Sequence, residues 1–462
     1  MIPLETAKKV LKEALRTGGD LAEIYVEDNT SLLLRLEDSK IENAVRGADR
    51  GVGIRVFFAD LATYAYTDDL SEESLLQAAR AAASAATGSN KSRSIDLTLQ
   101  KSPLQFPILK PFDSLSLADK ARMLNDADVA ARAYSPLVKQ VIGNYREERR
   151  RVWIFNSDGV QVEDDRNFVE MGSMVVAQKG DILERSYEGF GGQKGLELLD
   201  ERNFVAKVQE IAEIAVRMLD ARPSPAGEMT VVMCNGWGGV LFHEACGHQM
   251  EADFITKGSS AYAGRIGQQV ASPLISAYDD GTIPGRRGSF RFDDEGTPSQ
   301  RTVLIEKGVL KEYMWDLAEA RRAGRQSTGN GRRQTYRHMP VPRMTNTYIG
   351  VGNYDPEEII RATPKGVYIK QMSGGQAELA NGDFVFSATE AYLIEDGKIT
   401  TPLRGATVMG NGPTILKEID MLGNDLAFDP GVGTCGKDGQ GARTGVGQPT
   451  LRIPRVAVGG TA

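Results

Sequence analysis

Val240-Leu241-Phe242-His243-Glu244-Ala245-Cys246-Gly247-His248-Gln249-Met250-Glu251-Ala252-Asp253-Phe254 is the stretch on which the reading of this chain turns. Its apolar spacing predicts a helix beginning near Gly238, inside a C-terminal half that otherwise reads as strands. Within the helix His243 and His248 stand five residues apart, with Glu244 directly after the first. In a regular α-helix residues i and i+4 share a face, whereas i+5 lies about 140° further round. Two imidazoles so placed cannot meet one metal ion. A single π-turn, with i→i+5 hydrogen bonds, restores the register, and such turns are frequent at functional sites. The spacing therefore predicts a distorted helix over 243–248, with Gly247 as the position that admits the irregularity.

The chemistry of this HExxxH pattern follows from its residue types. Neutral imidazoles of His243 and His248 can hold zinc, while Glu244, adjacent but not a ligand, can take a proton from the water that the metal activates. A catalytic zinc usually has three protein ligands and one open position. The third is sought among Cys246, Cys435, Cys234, Glu251, Asp253 and His338, and spacing alone does not choose. Cys246 and Cys234 read as packed apolar side chains. Glu251 and Asp253 read as acceptors that could orient an imidazole.

Outward from this helix, the 462 residues suggest two or three domains. The expected class is α+β, with two repeated helix–strands–helix modules followed by a β-rich C-terminal domain that carries the zinc-site helix. In the first module a helix over 4–18 precedes the strand-like runs AEIYVED, SLLLRLED, KIENAVRG and GVGIRVFFADLATYAYTD. Ser71 is an expected N-cap of the helix that follows, and Gly88 its expected end. A polar, Pro-bearing linker leads to a second round of helix, strands and helix. These modules are placed at 1–103 and 104–221, forming an N-terminal domain 1–221. The Pro-rich ARPSPAG then opens the catalytic domain at 222–462. The glycine-rich stretches near 324–331 and 431–447 read as ordered loops.

Composition narrows the function. Lys plus Arg is 55 against 62 Asp plus Glu, a net charge of −7, which argues against a nucleic-acid binder. Three cysteines and three histidines exclude a disulfide scaffold and a large zinc array. No run of about 18 apolar residues marks a membrane span. The opening MIPLETAKKVLKEALRTGG reads as a folded amphipathic helix rather than a signal peptide. A cytoplasmic protein is expected.

The blocks HEACGHQMEAD at 243–253, FDDEGTPSQRTVLIEKGVL at 292–310, STGNGRRQTY at 327–336, VPRMTNTY at 341–348 and GTCGKDGQ at 433–440 resemble the TldD/PmbA family. Its members are described as modulators of DNA gyrase and as zinc metalloproteases. Only the TldD-like branch carries HExxxH, so the chain resembles that branch. The resemblance implies zinc held by His243, His248 and Cys435, with Glu244 catalytic. It further implies extended or unfolded peptide substrates and a homologous partner chain, in a TldD–TldE (PmbA-like) heterodimer or a homodimer.

Other residues carry secondary expectations. Tyr336, His338 and Arg343 are candidates to stabilise a transition-state oxyanion or bind substrate. Asp293, Asp294 and Glu295 read as a solvated turn. The basic run Arg321, Arg322, Arg325, Arg332 and Arg333 could grip a peptide carboxylate or an acidic partner. The leading reading is a zinc-dependent peptidase. Its rival is a noncatalytic peptide-binding or regulatory protein with a structural zinc, which would usually be closed by four ligands. A nucleotide-binding reading of the glycine loops fails because GTCGKDG lacks the Ser or Thr after Lys that a phosphate loop needs.

Overall fold

The computed structural model of the chain describes residues 1–84, 86, 94–378 and 381–460. The expected end of the second helix at Gly88 lies outside them. The fold is mixed α+β, with a β-rich C-terminal region. No helix among the described residues is long and apolar enough to cross a membrane.

One seven-stranded sheet organises the first 221 residues. In order across it run Leu61–Thr67, Lys40–Phe58, Leu21–Glu37, Val138–Asn156 and Val160–Lys179. Ile182–Gly192 and the short Thr98–Leu99 then share the outer edge of the last strand. Leu21–Glu37 and Val138–Asn156 pair antiparallel from Glu23 opposite Asn156 to Glu37 opposite Ile142. Segments 1–103 and 104–221 are thus joined along their central strands.

Runs that read as separate strands are continuous here. AEIYVED and all of SLLLRLED except its final Asp38 lie in the single strand Leu21–Glu37. The polar residues between them do not turn, because Asp28 and Asn29 pair with Arg50 and Asp49 on one side and with Arg151 and Arg150 on the other. Ladders on both sides satisfy a backbone whose side chains alone suggest a loop. Conversely, GVGIRVFFADLATYAYTD breaks after Phe58, where Ala59 takes a left-handed φ of 49°.

Two helix pairs cover this sheet. Leu4–Ala14 and Glu72–Ala83 bury Val10, Leu11, Leu75 and Ala79 against Ile24 and Ile54. Leu117–Tyr134 and Phe204–Met218 bury Leu124, Ala131, Val208 and Ile211 against Leu34 and Val175. The second pair begins with a capping box, in which the Ser116 hydroxyl accepts from Asp119 N–H and the Asp119 carboxylate accepts from Ser116 N–H. Ser71 caps its helix by accepting from Ser74 N–H.

In the C-terminal region five strands close into a ring. Lys365–Ala377 pairs with Gly227–Met233, and the ring continues through Leu451–Gly459, Thr407–Asn411 and Asp383–Glu395 back to Lys365–Ala377. Beside it stands a six-stranded sheet that contains Ala277–Asp280, Asn346–Ile349 and Gly445–Gln448. Leu241, Phe242, Ala245 and Cys246 of the histidine-bearing helix sit in one core with Ile369 and Ile453 of the ring and with Ala277 and Ile349 of the sheet. The helix is thus wedged between ring and sheet.

The glycine-rich stretch 431–447, expected as a loop, instead contains a hairpin of Thr434–Lys437 with Gln440–Arg443. Asp438 and Gly439 form its two-residue turn with φ of 51° and 70°. A left-handed pair of this kind is the turn that Asp-Gly favours between two strands.

Candidate metal centre

The histidine-bearing helix changes pitch as it crosses the site. Val240–Phe242 is α, His243–Gly247 is a π-turn, and His248–Met250 is a 3-10 turn. His248 N–H donates to the His243 carbonyl, the i→i+5 bond expected from the spacing. Gly247 itself has ordinary helical angles, φ −60° and ψ −51°, so its conformational freedom does not create the turn. Its requirement is steric, because a Cβ there would lie 2.5 Å from Met344 Sδ.

The π-turn brings the two imidazole centroids to 5.1 Å. The hairpin then carries Cys435 to them, with Sγ 3.1 Å from His248 Nε2. One donor atom from each of His243, His248 and Cys435 lies within 4.8 Å of the others. That span is close to what one ion with bonds of about 2.0–2.3 Å bridges. Two imidazoles and a thiolate are a donor set that suits zinc, and all three residues are buried. His243 Nδ1 is buried without a hydrogen-bond partner among the described residues.

Cys435 differs chemically from the other cysteines. Burial raises its thiol, but His243 and His248 outweigh burial and bring it down to about 5. At Cys234 and Cys246 burial prevails and pushes each thiol up to about 12. Only Cys435 is held as the thiolate that a metal requires.

The outer contacts of the site are dense. His248 Nδ1 lies 3.0 Å from Glu251 Oε2. Lys437 Nζ donates to Glu251 Oε2 at 2.8 Å, to Asp253 Oδ1 at 2.7 Å and to the Pro342 carbonyl at 3.0 Å. Glu251 fits the orienting role considered for it, since an acceptor at Nδ1 leaves Nε2 free toward Cys435. Lys437 is the residue missed in the sequence. The signal was available, because Cys435 and Lys437 are two apart on one strand and so share a face.

Glu244 stands at the mouth. Its carboxylate oxygens lie 4.0 Å from His243 Nε2 and 3.8 Å from His248 Nε2, and its side chain is 34% exposed. It lines a cavity of about 490 Å³ together with His243 and Cys435. Trp237, Val240, Met372 and Val446 make the cavity largely apolar, and Met174, Arg185 and Tyr187 of the N-terminal sheet form its other wall.

The remaining sequence candidates lie elsewhere. Tyr336 is buried against the N-terminal sheet, where its hydroxyl donates to Asp49 and its carbonyl accepts from Tyr64. The His338 Nδ1 pairs with the Thr335 hydroxyl at 2.9 Å. Neither residue joins the donor cluster nor lines the cavity. The Arg343 guanidinium donates to the carbonyls of Cys435 at 2.5 Å and Gln440 at 3.1 Å. These two bonds brace the hairpin that carries Cys435. Asp293, Asp294 and Glu295 are buried rather than solvated. Asp294 pairs with Arg166, Glu295 pairs with Arg55, and Asp293 accepts from the backbone of Glu295, Thr297 and Gly331. In the basic run Arg321, Arg322 and Arg325 are exposed, while Arg332 and Arg333 turn inward.

Fold and donor set together define a mixed α+β protein with a buried His–His–Cys cluster of the kind that can hold a metal ion, at the edge of a cavity. Comparison with known proteins makes the identification specific. Residues 226–460 match the PmbA/TldA metallopeptidase C-terminal domain, 110–219 the central domain and 22–86 domain 1 of the same family. The chain belongs to the TldD/PmbA family. It is 40% identical to a metalloprotease TldD homolog of Haemophilus influenzae, covering 96% of this chain and 93% of that protein. A TldD homolog of Buchnera aphidicola is 37% identical, over 98% and 95% of the two chains. Among solved structures, a Thermotoga maritima protein described as a modulator of a DNA gyrase superposes with a TM-score of 0.81 at 22% identity, covering 98% and 99%. TldE from Thermococcus kodakarensis gives 0.78 at 22% identity, over 98% and 100%. The relatives by sequence are named metalloproteases.

Proposed function

We propose that this chain is a zinc-dependent peptidase that hydrolyses short or unfolded peptides, with His243, His248 and Cys435 as zinc ligands and Glu244 as general base. The observation that carries the reading is the Glu244 carboxylate within 4.0 Å of both imidazoles, at the mouth of a cavity that also exposes Cys435. Bound zinc would supply Lewis acidity and lower the pKa of a water to about 7. Glu244 holds a carboxylate where it can accept that water's proton and return it to the leaving amine. Glu251 orients the His248 ring, Lys437 holds Glu251, and Arg343 fixes the hairpin that presents Cys435. The apolar wall excludes water from an extended peptide laid across the cavity.

The three-donor cluster favours an open site over a closed structural zinc. In this reading residues 222–462 form the catalytic domain and 1–221 supply the opposite wall of the cavity. The chain works in the cytoplasm, paired with a homologous TldE/PmbA-like partner or with a second copy of itself. Glu244→Gln should keep stoichiometric zinc and lose peptide hydrolysis by roughly 10²–10⁴-fold. Full activity in that variant would refute the role of Glu244, and loss of zinc would make it a ligand.

A further inference from the structure

A second cavity, of about 280 Å³, lies across the Cys435 hairpin from the metal cluster, between the N-terminal sheet and the C-terminal region. Thr434 borders both cavities. Strand alternation explains the arrangement. Cys435 and Lys437 face the metal cluster, while Thr434 and its cross-strand partner Arg443 face the other way.

The wall of this second cavity carries seven arginines and only two carboxylates. Its acids are shared. Glu148 serves both Arg150 and Arg443, and Glu170 just outside serves Arg146 and Arg287. Asp294 and Asp164 both pair with Arg166, Glu27 lies 3.8 Å from Arg150, and Glu23 pairs with Arg333 at 2.7 Å while also serving Arg55. Arg332 is 8% exposed and has no ion-pair partner among the described residues, its guanidinium donating to the Met344 carbonyl at 2.5 Å. The Nε atoms of Arg333 and Arg443 are buried without a hydrogen-bond partner among the described residues. Buried cations without matching anions are costly. Burial and neighbouring arginines lower both Arg332 and Arg443 to about 10.

We propose that this arginine-lined cavity is a binding site for a small multivalent oxyanion of the phosphate type. Guanidinium forks match such oxygens, Arg332 has no carboxylate partner among the described residues, and Arg150 with Arg443, like Arg146 with Arg287, share one acid between two cations. The oxyanion would sit against the hairpin that presents Cys435, and it would bridge arginines from both regions of the chain: Arg150 and Arg166 from the N-terminal sheet, Arg332 and Arg443 from the C-terminal region. The same chemistry could come from a free anion or from a carboxylate of a bound peptide.

The test uses the full-length, zinc-loaded protein and does not depend on the peptidase reading. Inorganic phosphate and pyrophosphate are titrated by calorimetry and by thermal unfolding, against chloride at matched ionic strength. The expected result is saturable binding with a rise in Tm, weakened about 10-fold or more in Arg332→Gln and in Arg443→Gln. Arg443→Lys, which keeps the charge but loses the fork, should fall between. Circular dichroism of each variant identifies any that fail to fold, and the wild-type titration stands without them. Phosphate that displaces a peptide with a free C-terminal carboxylate, but not its amidated form, would place the peptide's own carboxylate in the site. Absence of saturable binding of phosphate and pyrophosphate, or binding by folded Arg332→Gln and Arg443→Gln as tight as that of the wild type, would overturn the proposal.

Discussion

Glu251→Gln isolates the contribution of the buried carboxylate to metal retention. In the native chain Glu251 Oε2 lies 3.0 Å from His248 Nδ1 and 2.8 Å from Lys437 Nζ, while Oε1 accepts from Met344 N–H at 3.3 Å. Glutamine keeps the shape and can still accept from the imidazole, so the ring is not released. What changes is the strength of that bond. A charge-assisted hydrogen bond contributes about 1.5–3 kcal/mol and a neutral one about 0.5–1.5. The difference, about 1–1.5 kcal/mol, corresponds to a loss of zinc affinity of roughly 10-fold. That falls at the lower end of the about 10–100-fold seen when such outer partners are removed. Lys437 retains Asp253 at 2.7 Å, so the fold should survive with a modest fall in Tm. Competition between the protein and a chromophoric chelator for zinc measures the affinity, and unfolding of the metal-free protein measures stability. Unchanged zinc affinity in a folded Glu251→Gln protein would refute the argument that Glu251 tunes His248. A collapse of the metal-free fold would show that Glu251 is chiefly structural.

Three further outcomes are expected. Gly247→Ala should destabilise by about 1–3 kcal/mol, because its Cβ would press to 2.5 Å from Met344 Sδ, and a second substitution Met344→Ala should recover part of the loss in chemical denaturation. Tyr336→Phe should leave kcat unchanged and cost about 0.5–1.5 kcal/mol through loss of the Asp49 bond, so that a large fall in kcat would restore Tyr336 to the reaction. Burial raises the Glu148 carboxyl, but Arg443 and Arg150 outweigh burial and hold it at about 2, below its ordinary 4.5. A depressed folded pKa stabilises above the unfolded value, and that stability is lost as pH falls from about 4.5 toward about 2. The Tm gap between the wild type and Glu148→Gln should therefore narrow across that window, and a constant gap would contradict the pairing.

Local chemistry is legible in the residues themselves. Five-residue spacing of two scarce histidines demanded a π-turn, and His243–Gly247 forms one. The serine before an acidic, apolar-periodic run marked a helix start at Ser71. These are short-range effects, set by residues within one or two turns of each other. The resemblance to a known family supplied Cys435, which spacing could not select from six candidates.

Which distant groups meet is set by long-range packing. Cys435 reaches His248 across 187 positions of chain because a hairpin, read as a loop, is braced by Arg343. The strand Leu21–Glu37 stays continuous through Asp28 and Asn29 because partners on both sides satisfy its backbone. Asp293, Asp294 and Glu295 look solvated in sequence and are buried in the fold because arginines and backbone N–H groups arrive from elsewhere to pair them. Burial and charge pairing depend on what packs from afar, and a side chain's own type cannot report that.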